Sequence, residues 1–149
     1  MHFNDLTPYS YYLNYSIDEV RNIGWLDTEF EFIKGDAPDG FSKKLREILQ
    51  GSDTFDARVN VIRGVHPCVF CGRQKSDLST GLGSCELWIS DGNDGYFAAP
   101  SQIIHYVDKH KYLPPDEFIQ AVFNTVLTDE FKGQDIYDSL IKRHADKVV

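Results

Sequence analysis

Cys68-Val69-Phe70-Cys71-Gly72 carries the clearest chemistry in this chain. Cysteines separated by two residues bring two thiolates to one tetrahedral ion, and the glycine behind them lets the loop fold back so that backbone N–H groups point at the sulfurs. Such a pair is half a site. In His105-Tyr106-Val107-Asp108-Lys109-His110 two imidazoles stand at a spacing found in zinc sites. On a regular helix those positions lie about 140° apart, so the helix must loosen before His110 for both rings to face one ion. Tyr112 and Pro114, just beyond, supply a reason for it to end there. Zinc is therefore expected on Cys68, Cys71, His105 and His110. His66 is the alternative ligand, because in an extended segment it shares a face with Cys68. Cys85 alternates with Leu87 and Ile89 and reads as a small core hydrophobe.

A thioredoxin-like role for the cysteine pair is the other chemistry to weigh. That motif opens a helix, whose N-terminus lowers the thiol pKa. Here Pro67 precedes the first cysteine and a polar run, 73–83, follows the second, which disfavours it. The chain has no Gly-x-Ser-x-Gly elbow, phosphate loop, HExxH helix or GxGxxG turn. A zinc ion with four protein ligands leaves no position for a reacting water, so the expectation is a non-enzyme.

The elements that must hold these residues follow from periodicity. Phe41, Leu45, Ile48 and Leu49 recur at helical spacing between Asp39 and Gly51, with Lys43, Lys44 and Arg46 outward. Residues 57–63 read as a strand running into the cysteine turn, and 73–83 as an exposed loop. Strands on either side of Asp91-Gly92-Asn93-Asp94 make a hairpin, and a short helix with Ile103, Ile104 and Val107 follows Pro100-Ser101. Pro114-Pro115-Asp116-Glu117 starts another helix, with Phe118, Ile119, Val122, Phe123 and Val126 as its buried face. A last helix runs from Thr128-Asp129 through Ile136, Leu140 and Ile141. Near the start, Ser16-Ile17-Asp18-Glu19 offers a capping box for a turn of helix. The fold class is α+β: a small, mostly antiparallel sheet with several helices and a zinc-knuckle turn. One domain is expected over 1–149.

Composition narrows the partners. The 149 residues include ten Phe and eight Tyr, which favours an ordered core over disorder. No apolar run is long enough to span a bilayer. The N-terminus lacks a basic segment followed by an apolar one, so the location expected is cytoplasmic and no membrane partner is implied. Three cysteines there suit a metal or free thiols better than a disulfide framework. The net charge of −8 repels phosphate backbones and favours a basic partner.

Several blocks together resemble a known group. Asp5-Leu6-Thr7-Pro8-Tyr9, Asn22-Ile23-Gly24-Trp25-Leu26-Asp27, Arg63-Gly64-Val65-His66-Pro67-Cys68 with Cys71, and Tyr96-Phe97-Ala98-Ala99-Pro100 are four of them. His105-Tyr106-Val107, His110, Tyr112, Pro114-Pro115 and Glu117-Phe118 continue the series. In this order, over 3–125, they are similar to a family of small bacterial proteins of unknown function. Val65 stands where that family usually has an aromatic residue, Cys85 has no counterpart in it, and the tail after 125 lies outside. The resemblance implies a bacterial cytosolic domain with no known enzyme activity.

Two functional classes follow. The first is an immunity or antitoxin-type binding protein that occludes a basic toxin domain, using carboxylates from the more acidic half: Asp91, Asp94, Asp116, Glu117, Asp129, Glu130, Asp135 and Asp138. A buried aromatic such as Trp88 would then carry much of the affinity. The alternative is a zinc-ribbon-like nucleic-acid or regulatory module, which needs Lys43, Lys44, Arg46, Arg58, Arg63 and Arg73 on one face. Solubility alone also explains an acidic surface.

Overall fold

The computed structural model describes residues 2–11, 13–71 and 82–148. In chain order the elements are β1 (Pro8–Tyr9), β2 (Ile17–Asn22), α1 (Phe41–Gln50), β3 (Phe55–Asp56), β4 (Arg58–Val59) and β5 (Glu86–Ser90). After the hairpin turn come β6 (Tyr96–Pro100), α2 (Ile103–His110), α3 (Asp116–Asn124), β7 (Phe131–Lys132) and α4 (Gly133–Val148). Five strands form one sheet in the order β1-β2-β6-β5-β4. Only the β2–β6 pair is parallel; the other neighbours run antiparallel. β3 and β7 make a separate parallel pair. The α+β reading with a mostly antiparallel sheet is correct.

The central hairpin is buried on both faces, and strand alternation decides which side chain goes where. Leu87, Ile89, Phe97 and Ala99 face one cluster, which α1, α2 and α3 cover with Phe41, Leu45, Ile48, Ile103, Ile104, Phe118 and Val122. Trp88 and Ala98 face the other side, where Tyr9, Ile17, Val20, Trp25 and α4's Leu140 meet them. Trp88 has no exposed surface, and truncating a core residue of that size costs about 3–5 kcal/mol. It belongs to the core and is not a contact for a partner, which corrects the role expected of it.

Several boundaries differ from the sequence reading. Ser16-Ile17-Asp18-Glu19 does not open a helix. Ile17 and Val20 are fully buried, and from Ile17 the chain forms β2, because sheet pairing with β6 outweighs a local capping signal. The strand expected through Arg63 stops at Val59, where Asn60 takes φ 54 and leaves the ladder. α3 ends at Asn124, so Phe123 at 38% and Val126 at 50% exposure are not its buried face. Thr128 and Asp129 lie in a turn closed by the Asp129 amide on the Val126 carbonyl, and α4 begins at Gly133, after the short β7. α1 ends as expected at Gly51, whose φ of 69 suits a residue without a side chain. Of the expected loop 73–83, positions 73–81 lie outside the described residues, while Leu82 and Gly83 are buried.

Candidate metal centre

The cysteine turn hangs between two tethers. On one side the His66 amide donates to the Gly83 carbonyl at 2.8 Å, and on the other the Gln102 side chain donates to the His66 carbonyl at 3.1 Å. Gly83 has φ 87, and a β-carbon there would run into the His66 carbonyl. Only glycine permits that close approach. Ser101 Oγ accepts from the Gly83 amide at 2.8 Å, so the start of β5 and the end of β6 jointly place the knuckle. Inside it, the Phe70 ring packs on Phe32, Tyr106 and His110 at centroid distances of 5.5, 5.8 and 5.0 Å.

α2 brings the imidazoles. It remains helical through His110, but its last turn is wide: the amides of Lys111 and Tyr112 both reach the Tyr106 carbonyl instead of a nearer one. A turn closed over five residues carries more residues per revolution, which narrows the angle of about 140° between positions 105 and 110. The loosening expected before His110 is thus a widening at the helix end. It is pinned from outside by Gly35, whose amide donates to the Lys111 carbonyl at 2.9 Å. Tyr112 OH donates to Asp5 at 2.7 Å, and Asp5 in turn accepts from the Gly24 amide.

Cys68, Cys71, His105 and His110 converge, with their ligand atoms all within 4.8 Å of one another. Nε2 of His110 lies 3.3 Å from the Cys68 sulfur and 3.4 Å from that of Cys71, and His105 Nε2 lies 3.4 Å from Cys71. A tetrahedral zinc with bonds of about 2.3 Å to sulfur and about 2.0–2.1 Å to nitrogen has sulfur–nitrogen edges of roughly 3.5 Å. The four side chains therefore already sit near the edge lengths of such a shell. Burial is the main influence on both imidazoles and holds their pKa values below the ordinary 6.5; His110 adds to the effect on His105, and Lys34 to that on His110. A lowered pKa favours the neutral imidazole, the form that binds a metal. Burial pushes the Cys68 thiol up, while the backbone N–H groups of Cys71 and Phe70 pull it down. Phe70 N–H lies 3.4 Å from that sulfur, while Gly72, expected to fold the turn back, lies outside the described residues.

His66 is not among the four: its side chain is exposed, and it contributes only backbone hydrogen bonds to the turn. Cys85 is buried in the apolar cluster, with burial raising its thiol pKa. The acidic candidates are linked in part. Asp91 and Glu117 both pair with Arg21, at 3.7 and 3.1 Å. Asp94 and Asp135 line one groove together with Glu19. Asp116, Asp129, Glu130 and Asp138 are exposed. Of the basic candidates, Arg46 pairs with Asp108 at 2.6 Å and Arg58 with Asp56 at 3.1 Å, and Arg73 is outside the described residues.

Sequence reasoning missed Asp5, Phe32 and Gly83 as supports, since each acts on a segment distant in the chain. It also missed Glu86, although an acid inside the apolar run Cys85-Glu86-Leu87-Trp88-Ile89 was a visible signal. No described helix is long and apolar enough to cross a membrane. No curated protein and no solved structure matches the chain. Residues 1–123 match a family described as a domain of unknown function, DUF7919, and the chain belongs to that family.

Proposed function

We propose that this chain is a non-catalytic binding domain, stapled by one structural zinc ion, whose partner is a basic protein of the toxin type that it neutralises by occlusion. The observation that carries the first half is the donor set. Two thiolates and two neutral imidazoles at tetrahedral spacing suit zinc. With all four positions supplied by the chain, no coordination site remains for a substrate or an activated water. The ion's work is then to cross-link the cysteine turn to the end of α2.

The charge supports the second half. A net charge of −8 steers a cationic partner and repels nucleic acid. In the groove lined by Glu19, Asp94, Tyr96 and Asp135, Glu19 is already paired with Arg143 and His144 at 3.1 and 2.9 Å, so Asp94 and Asp135 are the carboxylates offered to a basic side chain at an interface rim. The nucleic-acid alternative has less support, because Arg46 and Arg58 are already paired with carboxylates.

The test is co-expression with the product of the adjacent reading frame, scored as growth rescue and as a co-eluting complex. Rescue that weakens with Asp94→Lys and Asp135→Lys, and a complex whose association slows with added salt, is the expected result. Absence of both rescue and complex rejects the neutralising role. Measurable hydrolysis by the isolated, metal-loaded chain rejects the non-catalytic one.

A further inference from the structure

A cavity of about 510 Å³ opens between the cysteine turn, the segment carrying Trp25 and the start of β5. That volume lies within the range of small-molecule sites, about 300–1,000 Å³. Trp25, Leu26, Ile62, Val69 and Tyr106 give it apolar walls, and Asn60 and Glu86 also line it.

Glu86 is 3% exposed and makes three hydrogen bonds. Its Oε1 accepts from Tyr9 OH at 2.7 Å and Trp88 Nε1 at 3.1 Å, and its Oε2 accepts from Asn60 Nδ2 at 2.7 Å. A carboxylate accepts about four hydrogen bonds, so one position on Oε2 remains. The indole and the amide NH₂ can only donate, so the network is arranged for an acceptor at its centre. Among the described residues no cation pairs with Glu86. A buried carboxylate without a countercharge is costly, and a cation entering from the cavity offsets that cost. An anionic ligand would meet the same carboxylate, and among the described lining residues there is no Lys or Arg to hold it.

The walls specify the rest of the ligand. Tyr11 and Trp25 both line the cavity, with ring centroids 4.7 Å apart, and aromatic rings near a carboxylate are the surroundings that hold an ammonium group. We propose that this cavity binds a small organic amine, with its apolar body among Trp25, Ile62 and Tyr106 and its ammonium on Glu86 Oε2. This goes beyond the proposed function, because it concerns a small ligand in a cavity that shares only Cys68 with the metal ligands and lies apart from the acidic groove.

Phenethylamine, phenethyl alcohol and phenylacetate are matched probes of charge on one apolar body. Each is titrated into the full chain and followed by tryptophan emission and ligand-observed NMR. The amine is expected to bind saturably and about tenfold tighter than the alcohol, with no binding of phenylacetate. Glu86→Gln, if folded by near-UV circular dichroism, brings the amine down to the level of the alcohol. Ile62→Phe fills the cavity without touching Glu86 and weakens both, which keeps the test decisive if Glu86→Gln unfolds. Equal binding of amine and alcohol overturns the proposal, as does amine binding unchanged by Ile62→Phe, or no binding of any probe at millimolar concentration.

Discussion

Replacing Cys68 by serine removes a buried donor from a four-atom cluster and leaves three of the four candidate ligands. Cys68→Ser and His105→Ala are each expected to lower the metal content of protein purified without a metal-affinity step from about one ion per chain to near none, with a stability loss of several kcal/mol. His66→Ala should change neither quantity, since that side chain is exposed and outside the cluster. Metal analysis paired with urea melts checks all three, and equal loss from His66→Ala would contradict the ligand set. The contrast also explains what was readable. Cys68 and Cys71 announce themselves through local spacing, whereas the choice between His66 and His110 depends on how α2 ends. Glu86 gives a second expectation at this scale. Burial, against the pull of Asn60, Trp88 and Tyr9, lifts its carboxyl above the ordinary 4.5. Between that value and its raised folded value the folded chain holds more protons than the unfolded one, so stability falls as pH rises through the window. Asp5 acts with the same sign from 3.8 upward, and Glu19, whose carboxyl is lowered, with the opposite one. Comparing native protein with Glu86→Gln at each pH subtracts both. The variant should gain stability relative to the native chain as pH rises above 4.5, and a flat difference across a pH series of urea melts would remove Glu86 as the source.

Among the elements, the turn that presents the knuckle depends on one backbone conformation. Gly83 sits at φ 87 against the His66 carbonyl, so Gly83→Ala combines left-handed strain with a backbone collision. A loss of about 1–3 kcal/mol is expected from urea denaturation, with faster transfer of the ion to a chelator because the tether to His66 is displaced. A loss below that of an ordinary surface substitution would show that the tether is dispensable. No property of the sequence around Gly83 marked it, since the residue it meets is far away in the chain. Elements with strong periodicity were readable: α1 between Asp39 and Gly51, the hairpin about Asp91-Gly92-Asn93-Asp94, and α2 and α3 with their apolar faces. The errors came where pairing partners decide. β2 took a segment with a helix-start signal because β1 and β6 flank it, and β4 ended early because Asn60 turns out of the ladder to reach Glu86. β7 was unreadable because its partner, β3, is two residues long and distant.

For the molecule as a whole, the sheet divides the interior into two apolar clusters, and the metal ligands touch only one of them. Cys68 and Cys71 belong with the cluster under α1, α2 and α3, whereas Tyr9, Trp88 and Leu140 fill the opposite side under α4. Binding energy at a structural ion is folding energy for the segments it joins. Here those segments are the cysteine turn and the end of α2, which the aromatic contacts of Phe70 and the backbone bonds from 33–35 support only in part. The hairpin has its own support, since its residues pair along the full length of β5 and β6 and are buried on both faces. Stripping the ion with a chelator should therefore loosen the molecule unevenly. Amide exchange is expected to accelerate most in 66–71 and 105–113, while the amides of β5, β6 and the buried face of α4 keep their protection until the chain unfolds globally. Emission from Trp88, which has no exposed surface, should stay unshifted at chelator concentrations that already release those two segments. Uniform acceleration across the hairpin and α4 would mean instead that the ion holds the entire fold, as it does in domains whose core cannot stand alone.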